Sequence, residues 1–168
     1  AKGGTSSMFG EAIMWLKNSG IVNQVYKTTA ELPLEMHKDL SSFKLYMSDV
    51  GLFVNKARYP LYQVDLSQQP VMIAMGPLTE NYVANELRVK GYDLYYWESD
   101  GKAELDFMIQ KETDIMPIEV KTSVHTKARS LDLYMKTYSP NYAVRISEKN
   151  FGFENNIKSV PLYAVFCM

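Results

Sequence analysis

Between Tyr92 and Thr122 three strand-like runs are joined by two short polar turns, and this meander constrains the fold more than any other stretch of the chain. Tyr92 to Trp97 is aromatic, while Ala103 to Gln110 and Ile115 to Thr122 mix apolar with charged residues in the period of two that half-buried strands require. Ser99-Asp100-Gly101-Lys102 contains the Asp-Gly pair suited to the positive φ angles of a tight primed turn, and Lys111 to Asp114 turns the chain again. A helix is expected ahead of the meander, with Pro77 at its first position, where the missing N–H is harmless, and Gly91 as its stop after Lys90. A second helix is expected from Lys127 to Thr137, ending near Pro140, followed by strands at Tyr142 to Ile146 and Val160 to Phe166. The order is helix, three-strand meander, helix, strand, and the fold class is α/β in the broad sense (α+β).

The first half is more mixed. Ala1 to Ser7 is small and polar; Phe9, Ala12, Ile13 and Leu16 then recur at helical spacing, with Gly20 as a stop. Ile21 to Thr28 and Phe43 to Met47 have strand content, and Asp49 is placed to cap a short helix through Val54. A helix with two strands suits a small winged-helix-like α+β segment. Pro60, Pro70 and the polar Ser67-Gln68-Gln69 cluster mark a junction, so the expected division is 1–75 for this segment and linker and 76–168 for the rest.

Composition narrows the function classes. The chain has 168 residues, 46% hydrophobic and 22% charged, as folded globular chains do. No apolar run reaches the length of a membrane span, so no membrane partner is expected. The single cysteine, Cys167, has no internal partner, which fits a reducing, cytoplasmic compartment. Eighteen Lys and Arg against 19 Asp and Glu exclude a broad basic coat, so any nucleic-acid contact must be local, for instance at Lys102, Lys127, Arg129, Lys136 and Arg145. His37 and His125 are too few for a zinc site, and a metal here would be held by oxygens.

Three carboxylates and a lysine are placed oddly for a scaffold. On a strand, Glu119 and Lys121 share one face while Ile118 and Val120 share the other. By the same alternation Leu105 and Phe107 oppose Asp106, and pairing through the Lys111 to Asp114 turn puts Asp106 and Glu119 on one side of the sheet. Glu80 lies three, four and seven residues before Val83, Ala84 and Leu87, on the apolar stripe of its helix, which would carry it towards the two strand carboxylates. Singly each residue has an ordinary explanation: a solvated strand pair, or a carboxylate welcome in a first helical turn. Glu104 and Glu86 are alternative carboxylates, and His125 is a loop histidine with no assigned task. Together, several like charges brought to one point are costly unless a cation compensates them. Oxygens so placed suit Mg²⁺ or Mn²⁺, with Lys121 beside them to offset charge that develops in phosphodiester hydrolysis.

These residues resemble the PD-(D/E)xK nuclease superfamily, carried by Glu80 in Gly76-Pro77-Leu78-Thr79-Glu80, Asp106 in Leu105-Asp106-Phe107, and Glu119-Val120-Lys121. The closest look is of archaeal Holliday-junction resolvase type. That likeness implies a restriction endonuclease-like αβββαβ core acting on DNA. It implies Asp106 and Glu119 as metal ligands with the Val120 carbonyl, Glu80 as a direct or water-mediated ligand, and Lys121 as the catalytic lysine. Leu105 replaces the proline of the motif's name, a departure widely tolerated there. Across nearly the whole chain the sequence also resembles the C-terminal domain of unknown function of prokaryotic AAA-type ATPases. The carriers are Trp15 to Val22, Phe43 to Leu52, Gly76 to Leu87, Tyr96-Trp97, Glu104 to Phe107, Pro117 to Lys121 and Val160 to Tyr163. That likeness implies an upstream ATPase as the partner. The chain itself contains no G-x-x-x-x-G-K-[ST] phosphate loop and is not expected to hydrolyse ATP. The alternative to a nuclease is an inactive nuclease fold retained for DNA binding or regulation of the motor; Tyr95, Tyr96 and Trp97 are candidate interface aromatics in a protein-binding role.

Overall fold

Both early helices end in the way their glycines dictate. Gly20 and Gly91 adopt φ of +73° and +85°, and the next residue's N–H reaches back five positions, Ile21 to the Leu16 carbonyl and Tyr92 to that of Leu87. The computed structural model describes residues 6–58, 69–99, 103–122 and 129–168. In chain order these form α1 (Ser6–Asn18), β1 (Val22–Thr28), β2 (Lys38–Met47), α2 (Val50–Lys56), α3 (Gln69–Val89), β3 (Tyr95–Ser99), β4 (Ala103–Lys111), β5 (Asp114–Val120), α4 (Arg129–Tyr138), β6 (Ala143–Ser147), β7 (Gly152–Glu154) and β8 (Ile157–Pro161). Short 3-10 turns at Leu34–His37 and Leu162–Cys167 complete the set. Asp49 caps α2 as expected, its side chain accepting the Leu52 N–H at 2.8 Å.

All eight strands belong to one mixed sheet in the order β2-β1-β3-β4-β5-β6-β8-β7. The meander β3-β4-β5 is antiparallel, β6 adds parallel to β5 and β8 parallel to β6. β1 pairs in parallel with β3 (Tyr26 with Tyr95, Lys27 with Tyr96), so the sheet runs through both of the segments divided at residue 76. The fold is thus α+β, with helices on both faces.

Two apolar clusters, one per face, set the layers. On the first face Val83, Ala84 and Leu87 of α3 pack on Val25, Tyr46, Phe107, Ile109, Met116, Ile118, Val120 and Ile146. On the other, Leu131 and Tyr134 of α4 pack on Tyr95, Trp97, Leu105, Met108 and Ala143. Trp97 meets Tyr134 edge-on at 5.2 Å between ring centroids. Tyr95, Tyr96 and Trp97, candidates for an interface, are therefore core residues, 5–7% exposed.

Several boundaries differ from expectation for local reasons. Helix α3 begins at Gln69 instead of Gly76, so Pro77 lies inside it and removes one rung of its ladder. β3 starts at Tyr95 instead of Tyr92 because Arg88 Nη1 takes the Tyr92 carbonyl at 3.0 Å and the Asp93 carboxylate at 2.9 Å, holding the chain off the sheet. The last expected strand stops at Pro161, and the chain turns inward to bury Ala164 and Val165 in the α3-side cluster. Phe9, Ala12, Ile13 and Leu16 lie on α1 as their spacing requires, with Phe9 and Leu16 exposed. The expected Asp100-Gly101 turn, Lys102, His125 and Lys127 lie outside the described residues.

Candidate functional site

β4 departs from strict alternation where its key carboxylate sits. Trp97 pairs with Leu105 but Tyr95 pairs with Met108, so β4 carries one residue more than β3 over that interval, a bulge. Leu105 consequently joins the α4-side cluster and Phe107 the α3-side cluster, where the sequence placed both opposite Asp106. The expected pairing of β4 with β5 through Lys111 and Asp114 does form, and it runs as far as Phe107 and Ile118.

Beyond that point Asp106 takes over from the backbone. The Lys121 N–H donates to the Ile146 carbonyl of β6 at 2.8 Å, so the Val120 N–H, one residue earlier, faces β4. The bulge leaves no carbonyl there, and Asp106 Oδ2 accepts the Val120 N–H at 2.7 Å instead. The Asp106 carboxylate is thereby held between the two strands, near the plane of the sheet. A strand residue's C=O points to the same side as its N–H, so the Val120 carbonyl also faces Asp106.

The other candidates flank this group from opposite faces. Ile118 and Val120 lie in the α3-side cluster, so Glu119 points to the α4 side, where it lies opposite Arg145 of β6. Lys121 Nζ is ion-paired with Glu119 Oε1, while Glu119 Oε2 is buried and has no hydrogen-bond partner among the described residues. Glu80 comes from α3 on the other face, and the Tyr46 hydroxyl donates to its Oε2 at 3.4 Å, a long bond. The expectation of Asp106 and Glu119 on one side of the sheet is corrected: Asp106 reaches the Val120 N–H between the strands and Glu119 points to the α4 side, while α3 brings Glu80 near both from the other face.

The electrostatics still tie the three together. Burial, then the Glu119 and Glu80 charges, push Asp106 up to about 7, against the pull of the Val120 N–H and Lys44. Burial likewise pushes Glu119 above the usual carboxylate range, although Lys121 and Arg145 oppose it. Among the described residues no three His, Cys, Asp or Glu side chains are grouped closely enough to bind a metal as they stand. The donor set itself suits a hard cation: a buried Glu119 oxygen with no donor among the described residues, and an Asp106 carboxyl pushed up first by burial and then by the Glu119 and Glu80 charges, both of which a cation would offset.

Sequence reasoning missed Lys44 and Tyr46 of β2, two residues apart and hence on one face. Lys44 pairs with Glu104 and lies over the Tyr96 ring at 5.1 Å. Although burial opposes it, Glu104, Asp106 and Glu80 tighten the proton on Lys44. Burial and the Glu80, Asp106 and Glu104 charges keep the Tyr46 phenol protonated far above its ordinary range. The Phe-Lys-Leu-Tyr-Met alternation was the available signal, but nothing local connects it to a carboxylate 60 residues away. Asn81, nearly fully buried, fixes this strand to α3: Met47 N–H donates to Asn81 Oδ1 at 2.7 Å and Asn81 Nδ2 donates to the Met47 carbonyl at 2.9 Å. Glu104 is thus engaged by Lys44, and Glu86 acts on Tyr82 instead of on the site. Of the basic rim, Lys136 and Arg145 line one cavity, while Arg129 is exposed at the start of α4.

Comparison with known families places two matches on the chain. A model described as domain of unknown function DUF4143 covers residues 75–165, and one described as domain of unknown function DUF8612 covers residues 1–60. No curated protein and no solved structure matches. No helix among the described residues is long and apolar enough to cross a membrane.

Proposed function

The chain belongs to the family of the domain of unknown function DUF4143, and from that premise we propose that it is a metal-dependent nuclease-like domain that hydrolyses DNA phosphodiesters. The observation that carries this reading is the buried Glu119 oxygen without a donor among the described residues, beside an Asp106 carboxyl that burial and then its anionic neighbours push up to about 7. A scaffold would be stabler with apolar residues at these positions. The element order α3-β3-β4-β5-α4-β6 also agrees with the αβββαβ core of restriction endonuclease-like folds.

In this reading Asp106, Glu119, Glu80 and the Val120 carbonyl would hold Mg²⁺ or Mn²⁺. Such an ion polarises a phosphoryl oxygen and lowers the pKa of a bound water. Lys121, anchored at Glu119, offsets negative charge that builds on the phosphate in the transition state. Lys44 partly balances the carboxylates in the resting site, and the Asn81 clamp keeps Glu80 and Tyr46 in register. An AAA-type ATPase is the proposed partner in the same polypeptide, and the proposed compartment is the cytoplasm.

A second reading is favoured by one observation: the carboxylates approach from two faces without closing into a three-ligand group. On that reading the fold is inactive and serves DNA binding or regulation of the ATPase. Labelled linear and branched DNA incubated with Mn²⁺ or Mg²⁺ separates the two. Metal-dependent cutting by the parent but not by Lys121→Ala is expected; equal cutting by both, or none by either with the ATPase attached, refutes the enzyme.

A further inference from the structure

Glu119 Oε2 and Arg145 Nε are both enclosed, and neither has a hydrogen-bond partner among the described residues. One is an acceptor and the other a donor. Glu119 pairs with Arg145 where β6 joins β5 in parallel. Val144 and Ile146 lie in the α3-side cluster with Ile118 and Val120, so both charged side chains point to the α4 side. Burial pushes the Glu119 carboxyl up, and Lys121 and then Arg145 pull against it. Lys121 Nζ closes an ion pair on Glu119 Oε1, whereas Arg145 makes no ion pair among the described residues. A buried donor and a buried acceptor left bare each carry a full desolvation penalty. Adjacent in register yet too far apart for an ion pair, the two are placed as the ends of a bridge through one buried water.

We infer that Arg145 is a positioning residue of the carboxylate site: its Nε–H donates through one buried water to Glu119 Oε2 and holds that carboxylate in place independently of Lys121. The inference deepens the nuclease-like reading and rests on it for the metal and the phosphate. A carboxylate oxygen has room for two partners, so Oε2 accepts the water on one side and keeps the other for a cation. Ligating carboxylates are commonly oriented by such outer hydrogen bonds. The second tether also resolves a conflict of tasks at Lys121. Its Nζ cannot both grip Oε1 and offset charge on a phosphate, and with Arg145 in place it can turn to the phosphate without releasing Glu119.

The test is the Arg145 Nε–H signal in nitrogen–proton NMR spectra of the full chain, recorded with chelator so that neither metal nor cleavage enters. The signal is identified by its absence from Arg145→Lys. It should exchange with solvent at least about tenfold more slowly than that of the exposed Arg129, and show a nuclear Overhauser contact to a long-lived water. Glu119→Gln keeps the shape of the side chain and removes its charge; it should shift the Arg145 signal and speed its exchange about tenfold, leaving Arg129 unmoved. Exchange as fast as that of Arg129, no water contact, or indifference to Glu119→Gln overturns the tether. Mn²⁺ affinity, measured by titration calorimetry, gives the second readout. Charge alone predicts that removing a cation beside the site tightens Mn²⁺ binding, whereas loss of positioning weakens it. Arg145→Gln is expected to weaken it about tenfold, and unchanged or tighter binding overturns the positioning role. A parent that binds no Mn²⁺ refutes the metal site, and the exchange measurement then decides the tether by itself.

Discussion

Asp106 Oδ2 accepts the Val120 N–H at 2.7 Å, so a side chain from the β4 bulge occupies the place of a backbone carbonyl in the β4–β5 ladder. The bond holds one carboxylate between the strands while Glu80 and Glu119 stand off on either face. It also makes the Val120 amide and Asp106 interdependent.

Removing the buried Glu119 carboxylate and removing Lys121 should have different consequences. Glu119→Ala is expected to weaken Mn²⁺ binding by at least about tenfold, measured by titration calorimetry. Lys121→Ala should bind Mn²⁺ as well as the parent yet cut DNA roughly a hundredfold more slowly or worse. Chelator added to the parent should abolish cutting without unfolding the chain.

The pH dependence of stability follows from Asp106. Its proton is held to about pH 7 in the folded chain against an ordinary 3.8, so in the window between these values the native state binds a proton that the unfolded state has released. Asp106 should therefore make the metal-free chain lose stability as pH rises through that window, its own share being at most about 1.4 kcal/mol per pH unit and levelling off above it. Glu119 contributes with the same sign. Urea unfolding across the range, run beside Asp106→Asn, checks it: the variant keeps an acceptor for Val120 and should flatten the profile.

Lys44 opposes the proton affinity of Asp106, so Lys44→Met should move the Asp106 titration upward. Carboxyl carbon shifts followed by NMR in chelator give the midpoint directly. A midpoint that stays put or falls would remove Lys44 from the site.

Asn81→Ala strips both hydrogen bonds from the Met47 backbone, leaving an N–H and a C=O without their partner. A loss of about 1–3 kcal/mol is expected in urea unfolding. Because the clamp also registers α3 against β2, Mn²⁺ affinity should fall along with stability.

On the opposite layer, Tyr134 is 1% exposed and packs against Trp97 and Tyr138. Tyr134→Ala is expected to cost about 3–5 kcal/mol, measured the same way, as removal of a large buried ring does.

Much of this was legible along the chain, and the reason is local. Gly20 and Gly91 stop helices because only a residue without a Cβ takes positive φ at little cost, and Asp49 caps α2 because its carboxylate reaches an amide three residues on. The three-strand meander and the Glu119–Lys121 pair followed from a period of two that needs no partner to be read. Tertiary structure decided the rest. No residue type marks the bulge that sends Leu105 and Phe107 to different faces; it arises where β4 must pair with β3 on one side and β5 on the other. The placement of Glu80 and Glu119 on opposite faces depends on which face α3 covers, a choice made by Val83, Ala84 and Leu87 packing against strands distant in sequence. The convergence of Lys44, Tyr46 and Arg145 on the carboxylates likewise exists only once β2 and β6 have joined the sheet, since electrostatic neighbours are set by distance in space and not by separation along the chain.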